Sequence, residues 1–348
     1  MNYKMSKSGL TLEECLKLEE LPSYDSISSL ADKVCRVLLK EDTSYRPLNC
    51  MGEPGSLLEL PPLTTVIIPD IHARPDFISN ILSCTLPELN LTVLQALKEK
   101  KINVICVGDA VHSELYSSRW ELISLEFEKG DHTGFYMQQE MILNLSVLCA
   151  LMKLKTLYPA NFHFLKGNHE NILNSNFGGD YAFFKHADEG EMVKTFIAEQ
   201  YDEKLLNKIA RYENCLPLAA YGTNYVVSHA EPAAAYTREQ LIDARFDDSV
   251  VEGLIWTRNG QVTKPTAMAI MKNLLGNKQA KKALYFAGHR PVKSYYSLRQ
   301  DGVLVQIHNP HLQNIFVVPC DRAFDFAKDI INTKIKTFEK QEDGKDGR

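Results

Sequence analysis

What the chain lacks narrows its chemistry before any motif is read. Its eight cysteines, Cys15, Cys35, Cys50, Cys84, Cys106, Cys149, Cys215 and Cys320, contain no C-x-x-C pair. A thiolate-rich structural zinc site is therefore not expected, and scattered thiols in apolar surroundings read as free cysteines of a reducing compartment. No apolar run approaches the roughly 18 residues needed to span a bilayer. The opening segment MNYKMSKSGLTLEECLKLEE has no apolar stretch of the kind a secretion signal needs. A cytoplasmic setting with no membrane partner is the expectation. Positive charge is in deficit, 39 Lys and Arg against 44 Asp and Glu, for a formal net charge of −5. Nucleic-acid binding is not expected, because recognition of a phosphate backbone needs a basic surface. There is no internal repeat and no low-complexity tract.

What is present is an ordinary globular composition, 45% hydrophobic and 24% charged over 348 residues. Residues 1 to 60 read as a helical extension packed on the core. Thr11 and Glu14 have capping-box spacing, and Ser26 to Asp42 places Ile27, Leu30, Val34, Val37 and Leu38 on one helical face. The stretch from Asn49 to Pro62 reads as a loop. Strands are expected at Thr64–Pro69, Ile102–Gly108 and Asn161–Gly167, with a helix opening at Pro75 and a long apolar helix over Met137–Pro159. The second half reads as hairpins: two strands within Pro217–His229, one at Ala283–His289, a pair around Asp301-Gly302, and a last strand at Gln313–Pro319. Alternating strands and helices followed by hairpins point to an α+β fold, a two-sheet β-sandwich flanked by helices.

Five motifs in fixed order carry the chemistry: PDIHAR (Pro69 to Arg74), VGDAVHSE (Val107 to Glu114), KGNHE (Lys166 to Glu170), VSHAEP (Val227 to Pro232) and AGHRPV (Ala287 to Val292). Each follows an expected strand, so their side chains meet at the strand ends. Asp70, His72, Asp109, Asn168, His229 and His289 form a set of oxygen and imidazole donors without thiolate, suited to Mn, Fe, Zn or Mg. They read as a dinuclear centre, which clamps both ends of a displacement at phosphorus. Asp70 and His72 lie two apart on an extended loop and so point the same way. Asp109 ends a neighbouring strand and is placed to bridge, while Asn168, His229 and His289 complete the second metal. His169, next to Asn168, is the candidate general acid. His308 ends a strand near the site and is a candidate to support it from behind.

Together these motifs resemble the calcineurin-like metallophosphoesterase superfamily, and within it the phosphoprotein phosphatase branch with its bacterial relatives. The resemblance spans residues 64 to 310. It implies an α/β/β/α four-layer fold, two divalent metals with manganese favoured, and hydrolysis of a phosphorylated substrate by a metal-bound hydroxide. With it, 61–338 is expected to be the catalytic domain, while 339–348, charged and glycine-containing, reads as a flexible tail. Asp70 and His72 match the family's D-x-H, Asp109 its bridging aspartate, Asn168 and His169 its G-N-H-E, and His229 and His289 its later histidines. Gly288-His289-Arg290-Pro291 has no second histidine, which is similar to the phosphoprotein phosphatases rather than the diesterases.

The family's G-D-x-x-D-R-G departs here: His112 stands where an orienting aspartate would be and Ser113 where a phosphate-gripping arginine would be. His112 joins His169, Asp109 and Arg258 as candidate catalytic groups, and Arg74, Arg258, Arg290 and Asn168 are candidate phosphate contacts. Glu114 is a candidate for the missing orienting role. The long aromatic and acidic segment 113–136 is a candidate cap over the site. A protein Ser/Thr phosphatase-like phosphomonoesterase is the first functional expectation. A nucleotide or dinucleoside polyphosphate hydrolase is the alternative, and a metal-binding regulatory protein without efficient turnover is the alternative of another class.

Overall fold

Thr11 starts the described secondary structure in this computed structural model, which describes residues 9–263 and 265–334. Its hydroxyl accepts the Glu14 N–H at 3.2 Å while the Glu14 carboxylate accepts the Thr11 N–H at 2.7 Å, the reciprocal cap expected from the spacing. Helix α1 (Leu12–Leu16) follows, then α2 (Tyr24–Leu38), capped by Ser23. The order continues β1 (Leu57–Glu59), β2 (Thr64–Ile68), α3 (Pro75–Ser83), β3 (Thr85–Leu86), β4 (Leu91–Thr92), α4 (Val93–Lys98), β5 (Ile102–Cys106), α5 (Ser117–Glu128), α6 (Phe135–Leu157) and β6 (Phe162–Phe164). Then come α7 (Glu189–Gln200), α8 (Glu203–Cys215), β7 (Ala219–Gly222), β8 (Tyr225–Ser228), α9 (Arg238–Ile242), α10 (Asp248–Ile255) and α11 (Thr266–Ala280). The last strands are β9 (Leu284–Ala287), β10 (Ser297–Arg299), β11 (Leu304–Gln306), β12 (Asn314–Val318) and β13 (Ile330–Asn332). The segment expected as a charged tail, 339–348, lies outside the described residues.

The strands form two main sheets, ordered β13-β12-β2-β5-β6 and β1-β7-β8-β9-β11-β10, with β3 and β4 as a separate hairpin. β2, β5 and β6 run parallel, as do β8, β9 and β11. Alternation along each strand sorts side chains between layers. In the first sheet Val66, Ile68, Val104 and Cys106 face helices α2, α6 and α8, while Ile67 and Ile105 face the other sheet. In the second, Val227, Phe286 and Val305 meet that inner face, and Val226, Tyr285 and Leu304 pack against α10 and α11. The layers are therefore helix, sheet, sheet, helix, as the motifs and the alternation implied.

Besides the β3–β4 hairpin, two short strands of the main sheets escaped the sequence. Leu57–Glu59, expected as loop, forms the edge strand β1 parallel to β7, and Ile330–Asn332 extends the first sheet beyond β12. Three residues are too few for alternation to show. Helices α1 and α2 pack on α6, and α2 also on α8. Helix α6 is buried on almost every face, which accounts for its lack of a polar side. No helix among the described residues is long and apolar enough to cross a membrane.

Candidate metal centre and active site

Six strands end at the same rim, and each delivers one piece of the site. The loops after β2, β5 and β6 carry Asp70 and His72, Asp109 to Glu114, and Asn168 to Glu170. The ends of β8, β9 and β11 carry His229, His289 and His308. Crowding at this rim explains the motif glycines. A Cβ on Gly288 would lie 1.8 Å from Asp70 Oδ1, and Gly108, at φ +128°, lies so close to Gly167 that a Cβ would sit 2.7 Å from its Cα. His72, Asp109, His112 and His289 adopt left-handed backbone with φ of +45°, +52°, +64° and +63°. Four strained residues in one cluster mark a functional rim. The Asp70–His72 loop is thus a tight turn and not the extended segment expected from the sequence.

Asp109 stands at the centre. Its Oδ2 is 3.3 Å from His229 Nε2 and 3.7 Å from the Nε2 atoms of both His72 and His169. On one side Asp70 Oδ2 lies 3.9 Å from His72 Nε2. On the other, Asn168 Oδ1 lies 2.9 Å from His229 Nε2 and 2.8 Å from His289 Nδ1. Separations of about 3 Å are what donors take up around one small cation. The sets Asp70–His72–His308, His72–Asp109–His169 and Asp109–His229–His289 each converge within 4.8 Å.

Backbone carbonyls fix the ring orientations. His72 Nδ1–H donates to the His112 carbonyl at 3.1 Å, and His229 Nδ1–H to the Val107 carbonyl at 3.2 Å. A carbonyl only accepts, so each ring turns an Nε2 lone pair to the cluster. Glu170 knits the loops together, accepting the N–H groups of Asp109, Ala110 and Gly167 at 2.9, 2.8 and 2.7 Å. Sequence reading quoted Glu170 without giving it this part.

The electrostatics call for cations. Burial raises Asp70 above the ordinary carboxylate range and pushes Asp109 up to about 8. Burial also drives His72 down to about 3 and holds His229 and His289 below the usual imidazole range, so the rings are neutral and ready to ligate. Asp70 Oδ1 and His289 Nε2 are buried without a hydrogen-bond partner among the described residues. Carboxylates that resist ionisation, neutral imidazoles and orphaned donor atoms fit divalent metal binding.

The cluster opens into a cleft of about 310 Å³. Its rim carries Arg258, Arg290 and Lys185 together with Phe183, Phe184 and Trp256. A larger hollow of about 730 Å³, beside Arg46 and Cys215, contains none of the motif residues. Three expectations change in the structure. Arg74 does not line the cleft, because its guanidinium donates to the carbonyls of Asp70, Ile71, Pro310 and Leu312. Segment 113–136 reaches the cleft only through Glu114; its Trp120 and Ile123 are buried in the helical layer. Glu114 does not orient His169 but accepts from His308 at 2.8 Å and pairs with Lys185. His112 instead meets His169, Nδ1 to Nδ1 at 2.8 Å. Ser113 is turned away, its hydroxyl donating to Glu140 at 2.6 Å. Phe183, whose ring centre is 3.7 Å from that of His169, and Lys185 were not foreseen, since nothing periodic marks their segment.

Comparison with known proteins agrees with this geometry. The family model for calcineurin-like phosphoesterases matches residues 63–316. A Saccharomyces cerevisiae protein serine/threonine phosphatase with similarity to human phosphatase PP5 superposes with a TM-score of 0.56 at 17% identity, covering 89% of each chain. A cold-active protein-tyrosine phosphatase of a psychrophilic Shewanella species superposes more loosely, with a TM-score of 0.39 at 13% identity over 75% of this chain and 76% of that one. No curated protein sequence matches. The chain belongs to the calcineurin-like phosphoesterase family, and is a metal-binding hydrolase of phosphoester bonds.

Proposed function

We propose that the chain hydrolyses phosphomonoesters at a dinuclear centre and acts on phosphoserine or phosphothreonine in proteins. The observation that supports this reading is the position of Asp109, whose one oxygen faces ligand nitrogens of both clusters. Asp70, His72 and Asp109 would hold the first cation, and Asp109, Asn168, His229 and His289 the second. Two divalent cations, when bound, offset the phosphoryl charge and make water acidic enough to attack at neutral pH. Manganese is favoured, given oxygen and imidazole donors without thiolate.

The remaining work belongs to the side chains. Arg258 and Arg290 present guanidinium forks, and Lys185 an ammonium, to the oxygens of a phosphoryl group in the cleft. They take the place of an arginine at position 113. Two Nδ1 atoms at 2.8 Å share one proton, so one ring donates and the other accepts. With His112 donating, His169 keeps its own proton on Nε2, the atom that faces Asp109 and the cleft. For this the pair must carry one proton more than two neutral rings. The His169 Nε2 proton then passes to the leaving oxygen as its bond to phosphorus breaks, the shared proton moves onto His169 Nδ1, and both rings are left neutral. Phe183 covers the histidine pair, lying parallel to His112 within 11°.

The shared fold with the yeast serine/threonine phosphatase supports a protein substrate. A nucleotide hydrolase is the second reading, favoured by Phe184, which is 73% exposed at the cleft edge and free to stack on a base. The test is manganese-dependent hydrolysis of p-nitrophenyl phosphate, bis-p-nitrophenyl phosphate, phosphoserine peptides and a dinucleoside polyphosphate. Phosphate release from the monoester and the peptides, with little from the diester, is the expected result. Faster turnover of the dinucleotide than of any peptide would replace the first reading with the second.

A further inference from the structure

We propose that His308 is a ligand of the first cation through Nδ1, with Glu114 holding its other ring nitrogen. The inference rests on the dinuclear reading above and adds a fourth protein donor to Asp70, His72 and Asp109. None of the five motifs contains this histidine.

The backbone places it. Strands β9 and β11 are parallel neighbours, with Ala287 paired to Gln306. Two residues further along each strand stand His289 and His308, so they occupy equivalent positions at the same rim. The Val292 N–H donates to the His308 carbonyl at 2.8 Å, which ties the two strand ends together.

The ring is aimed inward. Glu114 Oε2 lies 2.8 Å from His308 Nε2, and a carboxylate beside imidazole takes the N–H from that side. This leaves Nδ1 3.6 Å from Asp70 Oδ2, in the group with His72. His308 is fully buried, and its Nδ1 has no hydrogen-bond partner among the described residues. His72 and His229 show the same logic in mirror image: one ring nitrogen is tied to an acceptor and the other faces the cluster. A metal-ligating histidine usually gives its other ring N–H to a carboxylate or carbonyl, the arrangement His308 has with Glu114. Glu114 Oε2 accepts from His308 and Oε1 from Lys185, and Oε1 also lies 3.7 Å from His72 Nε2, so the test below separates the two residues. With His308 the first site has four protein donors, as many as Asp109, Asn168, His229 and His289 supply to the second.

The test is a titration of the full chain with Mn²⁺, following free ion by electron paramagnetic resonance. The unmodified chain is expected to bind two ions. His308→Ala is expected to weaken one of them by about 100-fold or more and leave the other unchanged, and Glu114→Gln to weaken the same one by about 10-fold. His308→Gly with added imidazole is expected to recover the lost site. If His308→Ala does not fold, as circular dichroism would show, His308→Asn keeps a donor toward Glu114 and carries the same expectation. Two ions bound with unchanged affinity in a folded position-308 variant would overturn the inference. So would a Glu114→Gln loss larger than that of His308→Ala, since Glu114 would then be the ligand. Fewer than two ions on the unmodified chain would instead overturn the dinuclear reading.

Discussion

At the scale of single residues, the proposed mechanism separates holding metal from moving a proton. His169 lies beside the proposed ligands, and its Nδ1 meets that of His112. His169→Ala is expected to lower kcat on phosphoserine peptides by about 10²–10⁴-fold while manganese stoichiometry stays as in the unmodified chain. The loss should be smaller on p-nitrophenyl phosphate, whose leaving group departs without a proton. Equal losses on both substrates, or a matching loss of metal, would mean that His169 is not the acid. Asp109 gives a pH signature. Burial pushes it up to about 8, so in the metal-free protein the protonated form dominates below that pH, and a cation must displace the proton. Manganese affinity is expected to fall by about tenfold per unit as pH drops from 8 to 6, and isothermal titration would read it. A flat response would show that this proton is not in competition. The residues that converge on Asp109 were legible because each follows an apolar strand, and in three of the five motifs a glycine stands directly before the polar residue. Arg74 misled because proximity in sequence to His72 says nothing of where a long side chain turns. It ends as a brace on four carbonyls.

Among the elements, residues 9–60 are bound to the core by charge as well as by packing. Glu41, just beyond α2, is buried between Arg46 and Lys155. Lys155, near the end of α6, also donates to the Phe162 carbonyl at 3.0 Å and lies 3.2 Å from His163. Burial acts to raise the Glu41 carboxyl, but Lys155, Arg46 and His163 outweigh it and hold it at about 2. Its folded value is thus below the ordinary 4.5, so its contribution is complete above pH 4.5 and is lost as pH falls toward 2. Glu41→Ala is expected to cost about 3–5 kcal/mol at pH 7 in urea unfolding, because Lys155 is left buried and unpaired. The gap between the two proteins should close on acidification through that window. A difference under about 1 kcal/mol at pH 7 would show the network to be dispensable. Helices α1, α2 and α3 were readable from a capping box, one apolar face and an opening proline, and α6 from its apolar length. Helix α5 was not, because its length and aromatic content suit a cap as well as a core helix, and only Trp120 and Ile123 in contact with the helical layer decide between them.

Over the whole molecule, two sheets back to back bring six strand ends to one rim. Residues 70 and 308 lie at opposite ends of the motif series, yet their side chains are 3.6 Å apart. The sequence sets His308 at a strand end near the site but does not pair it with Asp70. The link from Glu114 to His308 spans 194 positions, and no spacing rule connects them. The two-sheet arrangement was readable because strands alternate with helices in the first half and pair as hairpins in the second, and the four-layer order followed from the family resemblance. The covering of the cleft by residues 182–185 was not readable, since that stretch belongs to no regular element. The central claim is that two cations share Asp109 at this rim. Anomalous diffraction from crystals grown with manganese tests it most directly. Two peaks on either side of the Asp109 carboxylate, about 3.5–4 Å apart, are the expected result. A single peak, or manganese bound elsewhere, would contradict it.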